Sequence, residues 1–292
     1  MEKIAIVTDS NSGITQEEAE KLGVFVIPMP FMIDDKEYFE GINLSVEQFF
    51  ELLKGDRTIT TSQPAMNYIT ELWDKLLEEY DEIVHIPMSS GLSGSCQTAM
   101  MLSQEDEYSG KVFVVNNQRI SVTQKQSVRD AINLANQGKS AIEIRDILEK
   151  NKLHSSIYIM VDTLTYLKRG GRLTPAVAMI GNLLKIKPVL QIQGEKLDTF
   201  QKARTLKQAK SIMIKAIQND INTRFAEYPK EKFVVAIAHT DNYEAALEFR
   251  KEIAEQLAGI VREEDIEIDN LSLSVSCHIG PGSLAATCTI KE

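Results

Sequence analysis

No apolar run in this sequence approaches the roughly 20 residues of a membrane-spanning helix, and only three of its 292 residues are cysteines. The first absence excludes a helical membrane protein. Cys96, Cys277 and Cys288 are odd in number and lack metal or disulfide spacing, which points to a reducing cytoplasm. His85, His154 and His239 show no ligand spacing either, so no metal and no other cofactor is expected. There is no G-x-x-x-x-G-K-[ST] loop, which removes a nucleotide kinase. Met1 to Val7 enters an apolar run without a small-residue cleavage site, so secretion is not expected. A net charge of −10 argues against a general nucleic-acid binder. That charge is uneven: Val161 to Lys215 holds eleven Lys or Arg against three acidic residues, a local +8 that fits a solvated helix face, an anionic ligand or an acidic partner.

Two polar stretches stand out. In Ile83 to Ser95, an Ile- and Val-rich run breaks at Pro87 into Ser89-Ser90-Gly91-Leu92-Ser93-Gly94, and helix formers resume at Ala99. It reads as strand, loop and helix, with Ser93 at the helix N-terminus. Unpartnered backbone N–H groups and the positive end of the macrodipole make such a start suitable for a carboxylate or phosphate, although a Ser-capped helix alone means little. The second stretch, Thr58 to Gln63, carries hydroxyls and an amide straight into a helix opening at Pro64. Thr61 precedes Ser93 by 32 residues, one helix plus one strand, so both loops are expected at one end of a parallel sheet, where open α/β sheets bind ligands.

The rest of the chain alternates strands and helices, which predicts α/β layers with parallel pairing. Two α/β domains are expected, residues 1–155 with a parallel sheet flanked by helices, and residues 156–292, where the pattern restarts. Capping boxes mark helices at Thr15, Ser45 and Ser140. Helices are read over 65–79, 122–136, 141–150, 205–225 and 243–257, and one from Pro175 to about Leu184. An apparent hairpin joins 189–193 to 197–200, and the alternation of Leu271 to Ser276 predicts a strand that ends at His278. Arg172 after two glycines suits bidentate oxyanion binding or a plain surface turn. His278 before Gly280-Pro281-Gly282 is a structural histidine or a fixed donor. Gly91-Leu92-Ser93-Gly94-Ser95 is near a G-x-S-x-G elbow, with Asp241 and His278 following, so a serine hydrolase of acyl esters is the alternative; Ser95 stands where the elbow needs glycine.

Taken together, Asp9-Ser10, Thr60-Thr61-Ser62-Gln63-Pro64, Ser89 to Gly94, Arg169-Gly170-Gly171-Arg172, Lys187-Pro188-Val189-Leu190 and His278 to Gly282 resemble the DegV family of bacterial fatty-acid-binding proteins. The chain departs mildly at Asn11-Ser12-Gly13 and at Ser283-Leu284-Ala285. The resemblance implies a long-chain fatty acid buried in one of two α/β domains, presented to a separate fatty acid kinase that makes an acyl phosphate for phospholipid metabolism. It implies a carrier without turnover, cytoplasmic, with transient membrane contact allowed. Carried over by position, Thr61, Ser62, Ser90, Ser93 and Gly94 would surround the carboxylate, Arg172 and His278 would extend the polar network, and Arg204 would face the kinase. Which of Ser89, Ser90 and Ser93 points inward is left open.

Overall fold

Ile4–Asp9 form strand β1, buried from Ala5 onward, as a strand covered by helices on both faces must be. The structure is a computed structural model describing residues 3–55, 57–179 and 186–292. Helix α1 (Gln16–Leu22) opens at Thr15, whose hydroxyl accepts from the Glu18 N–H, and closes at Gly23 with φ 69°. Pro28 divides the next apolar stretch into β2 (Phe25–Ile27) and β3 (Pro30–Ile33), which join different sheets. Strand β4 (Lys36–Phe39) follows, then α2 (Val46–Leu53) with its reciprocal Ser45–Gln48 box. Next come β5 (Ile59–Thr61), α3 (Met66–Leu77), β6 (Glu82–Ile86), α4 (Ser95–Leu102) and β7 (Val112–Val114). Helices α5 (Val122–Asn136) and α6 (Ala141–Lys150) end the first half, where the spacing predicts them.

Strands β2-β1-β6-β7 make a parallel sheet. Trp73 and Tyr108 pack on one face, and Val128 and Ile144 of α5 and α6 on the other. Thr61 does not belong to this sheet. Strand β5 pairs antiparallel with β3 in a separate sheet, β4-β3-β5, so the expectation that both polar loops open at one edge of a parallel sheet is corrected. They meet all the same, because the Thr98 hydroxyl donates to Gln63 Oε1 at 3.0 Å.

The second half begins with β8 (Ser155–Met160), α7 (Thr165–Arg169) and α8 (Pro175–Ala178). The remainder of the helix expected to reach Leu184 falls largely on residues 180–185, outside the described residues. Strands β9 (Lys187–Ile192) and β10 (Leu197–Ala203) form the expected hairpin. Then come α9 (Leu206–Asn222), β11 (Phe233–His239), α10 (Tyr243–Gln256), β12 (Glu267–Asn270), α11 (Leu273–Ile279) and β13 (Leu284–Ile290). The sheet order is β10-β9-β8-β13-β11-β12, and only β11 and β12 pair in parallel. Parallel pairing was therefore the wrong expectation here, because β13 enters between β8 and β11 in the opposite direction.

Leu271 to Ser276 is also corrected: α11 occupies most of it. The residues carry a four-residue repeat beneath their alternation. Leu273 and Cys277 pack with Phe31 and Phe49, while Ser274 and His278 face a cavity. A carboxylate from far away in the sequence completes the helix, since Glu40 Oε2 accepts the Leu273 N–H at 2.8 Å, a charge well placed at a helix start. Burial pushes the Glu40 carboxyl up to about 7.

A network of ion pairs joins the halves. Buried Lys125 meets Asp269 at 2.6 Å and Glu18 at 3.2 Å, and Arg129 grips Glu267 through two bonds of 2.7 and 2.9 Å. Pairing this complete offsets the cost of drying the Lys125 ammonium.

Candidate ligand-binding site

The ends of β1 and β6 are tied by one buried carboxyl. Asp9 accepts from the N–H of Met88 at 2.7 Å, the N–H of Asn11 at 3.0 Å and Nε2 of Gln124 at 3.2 Å. Burial raises its pKa to about 6, against the lowering effect of those bonds. This clamp sets the loop 89–94. Within it Ser89 is buried and its hydroxyl donates to the Glu195 carbonyl at 3.1 Å. The approach of this loop to the β9–β10 turn requires Gly91, whose added Cβ would lie 2.2 Å from the same carbonyl oxygen. Ser93 stands just before the cap of α4, which is Gly94, and its hydroxyl accepts the Ser95 N–H at 3.2 Å.

On the far side, the second half supplies a histidine. Nε2 of His278 lies 2.8 Å from Thr61 Oγ1, linking α11 to the end of β5. Burial, with the nearby Arg172 guanidinium adding to it, pushes His278 down to about 4, so the ring is neutral at ordinary pH. Gly170 makes room for it; a Cβ there would lie 2.0 Å from Nδ1. Arg172 donates from Nη1 to the Gly170 carbonyl at 2.8 Å, holding the basic turn against the ring.

These groups surround the mouth of one cavity of about 190 Å³ between the two halves. Thr61, Ser62, Ser93, Gly94, Arg172 and His278 all line it, so the structure brings six of the eight residues singled out from the sequence to one place. Ser90 is not among the lining; its carbonyl accepts from Gln97. Arg204 is exposed beyond β10, its N–H donating to Gln208, and is also outside the lining. Of the three open serines, Ser93 alone lines the cavity. Behind the mouth the walls turn apolar, with Ile157, Ile159, Ala238 and Ala285 from the large sheet facing Met29 and Ile120. Asn11, Ser121 and Ser274 also line it, buried at 1%, 5% and 7% exposure. Sequence reading missed these three. Asn11 lay in a noticed loop, but nothing local marked it, and Ser274 was hidden by the strand assignment.

A hydrolytic triad does not assemble. His278 spends Nε2 on Thr61, and among the described residues Nδ1 has no partner, so no carboxylate orients the ring. Among the described residues no three His, Cys, Asp or Glu side chains cluster as metal ligands, and no helix is long and apolar enough to cross a membrane.

Comparison with known proteins gives a consistent picture. A DegV domain-containing protein of Listeria innocua is 33% identical over 293 residues, covering 99% of each chain. A DegV family protein of Thermus thermophilus, described as binding fatty acid, superposes with a TM-score of 0.87 at 29% identity over 99% of both chains. DegV of Bacillus subtilis, described as a fatty acid binding protein, gives a TM-score of 0.84 at 29% identity over the whole of both. A family model described as "Uncharacterised protein, DegV family" matches residues 3–291, and the chain belongs to the DegV family.

Proposed function

We propose that the protein binds a long-chain fatty acid with its tail in the cavity and its carboxylate at Thr61 and Ser93, and presents that carboxylate to a separate fatty acid kinase. One observation carries this: neutral hydroxyls at the mouth of a cavity whose depth is apolar. Tail burial yields roughly 0.8 kcal/mol per methylene, on the order of 11 kcal/mol gross for about fourteen. A hydroxyl bonded to a carboxylate nets only about 1.5–3 kcal/mol. The tail therefore supplies affinity, and the mouth fixes register.

A neutral His278 with its proton on Nε2 donates to Thr61 Oγ1, which frees the Thr61 hydroxyl to donate to the carboxylate, each bond polarising the next. Arg172 at the rim adds positive charge where an acyl phosphate would form, and Arg204, outside the cavity, faces the kinase. Residues 1–155 supply the hydroxyl loops, and residues 156–292 the apolar floor, Arg172 and His278. The protein is a cytoplasmic carrier serving phospholipid metabolism, with the phosphoryl transfer done by its partner. The fatty-acid binding described for the Thermus and Bacillus relatives supports this reading.

Denaturing extraction of the purified protein, read by mass spectrometry, tests it. One equivalent of long-chain fatty acid is expected; a lipid-free protein that also fails to take up added acid refutes the proposal. A fluorophosphonate probe should leave Ser93 unlabelled, because no base among the described residues activates it.

A further inference from the structure

We propose that the preferred ligand carries an oxygen on its acyl chain, a hydroxyl or a carbonyl, received inside the cavity by Ser121 and Asn11. The inference rests on the fatty-acid reading and narrows its substrate class.

Ser121 precedes α5, where a serine hydroxyl ordinarily accepts an N–H of the first turn. No such bond forms here. The residue is held instead at φ 57° and ψ −141°, a conformation costly for any residue with a side chain, fixed by its N–H donating to the Asn11 carbonyl at 2.8 Å. Ser121 lines the cavity, and its buried hydroxyl has no partner among the described residues. Asn11 beside it has its Oδ1 filled by the hydroxyls of Ser274 at 2.6 Å and Ser272 at 2.9 Å. Its Nδ2 meets Met88 Sδ at 2.9 Å, a weak acceptor that leaves a second amide proton unspent. The positive end of the 15-residue α5 adds to the same point.

Spare donors and a positive helix end, surrounded by apolar walls, call for an acceptor. A plain methylene chain passing there would leave them unpaired, which is unfavourable in an apolar setting. An oxygen on the chain would satisfy them. The position follows from α11, on which Ser274 and His278 are four residues apart on the cavity face, roughly 6 Å along the axis. An extended chain advances about 1.2 Å per bond. An oxygen about five bonds from the mouth, in the carboxyl-proximal half of an eighteen-carbon chain, meets the cluster.

Pairwise competition on the delipidated full-length protein, read by native mass spectrometry, decides the matter. Stearic acid is set against positional isomers of hydroxystearic and oxostearic acid. Isomers oxygenated in the proximal half should win by about three- to tenfold, and isomers oxygenated near the methyl end should not. Ser121→Gly, which suits the backbone at φ 57°, and separately Asn11→Ala, which removes the spare amide proton, should bring that ratio towards one. Stearic acid winning against every isomer, a preference independent of oxygen position, or a ratio untouched in both variants would overturn the inference while leaving fatty-acid binding intact. If no acid of either kind binds, the fatty-acid reading itself fails.

Discussion

Gly170→Ala probes the mouth of the cavity through one methyl group. Gly170 has φ −78°, which alanine adopts without strain, so the substitution acts only through what the methyl meets. It meets His278 Nδ1 at 2.0 Å and Cε1 at 2.8 Å. Ordinary contact begins near 3.4 Å, so the imidazole must retreat by at least about 1.4 Å. From its present 2.8 Å, the bond from Nε2 to Thr61 Oγ1 does not survive such a shift. What is lost is one neutral hydrogen bond, about 0.5–1.5 kcal/mol, because the Thr61 hydroxyl still reaches the carboxylate. Fatty-acid affinity should therefore fall between about twofold and tenfold. Displacement of a fluorescent fatty acid measures that fall, and the carboxyl signal of a ¹³C-labelled acid should move as its donor weakens. A loss beyond about a hundredfold would show that the head dominates affinity. An unchanged carboxyl signal would show that the His278–Thr61 bond does not reach the ligand.

Other outcomes follow from the same geometry. Gly91→Ala drives a methyl to within 2.2 Å of the Glu195 carbonyl oxygen, and should cost about 1–3 kcal/mol of stability, seen as a lower denaturation midpoint. Glu40→Gln changes the response to pH. The native carboxyl sits near 7 against an ordinary value of 4.5, so the unfolded chain releases its proton first and the wild type loses stability as pH rises from about 4.5 to 7. Urea midpoints of the glutamine variant should fall less over that window; parallel curves would contradict the assignment. His278 works in the opposite sense. Its value near 4 against 6.5 means stability present above 6.5 and lost as pH falls towards 4, a slope that His278→Gln should flatten. Arg129→Ala strips both bonds from Glu267 and leaves it Lys125 at 3.6 Å, and should destabilise by roughly 1–3 kcal/mol, since a partly buried carboxylate loses its two hydrogen bonds.

Much of this was written locally. The Ser45 and Ser140 boxes, the Thr15 cap and the runs that make α5 and α6 are short-range chemistry, and they appear where their residues predict. The mouth of the cavity was legible as well, because Thr61 lies in a run of hydroxyl and amide residues, and Ser93, Arg172 and His278 each have a glycine within two residues. Long-range partners were not legible. Helix α11 depends on a Glu40 carboxylate 233 residues away, and without it the serine-spaced apolar residues look like a strand. Strand β13 carries Ala285 and Ala286, poor strand formers, beside Thr287, Thr289 and Ile290, and β8 and β11 flank it so that all seven of its residues are buried. Asn11 and Ser121 gain their meaning only from burial against each other and against Ser274.

In the proposed function the tail provides most of the affinity and the hydroxyls align the head. Affinity measured by calorimetry across a series of saturated fatty acids tests it directly. A gain of about fourfold per added methylene, equivalent to about 0.8 kcal/mol, is expected until the cavity is filled, followed by a plateau. Affinity that is flat with chain length from the shortest acid onward would contradict it.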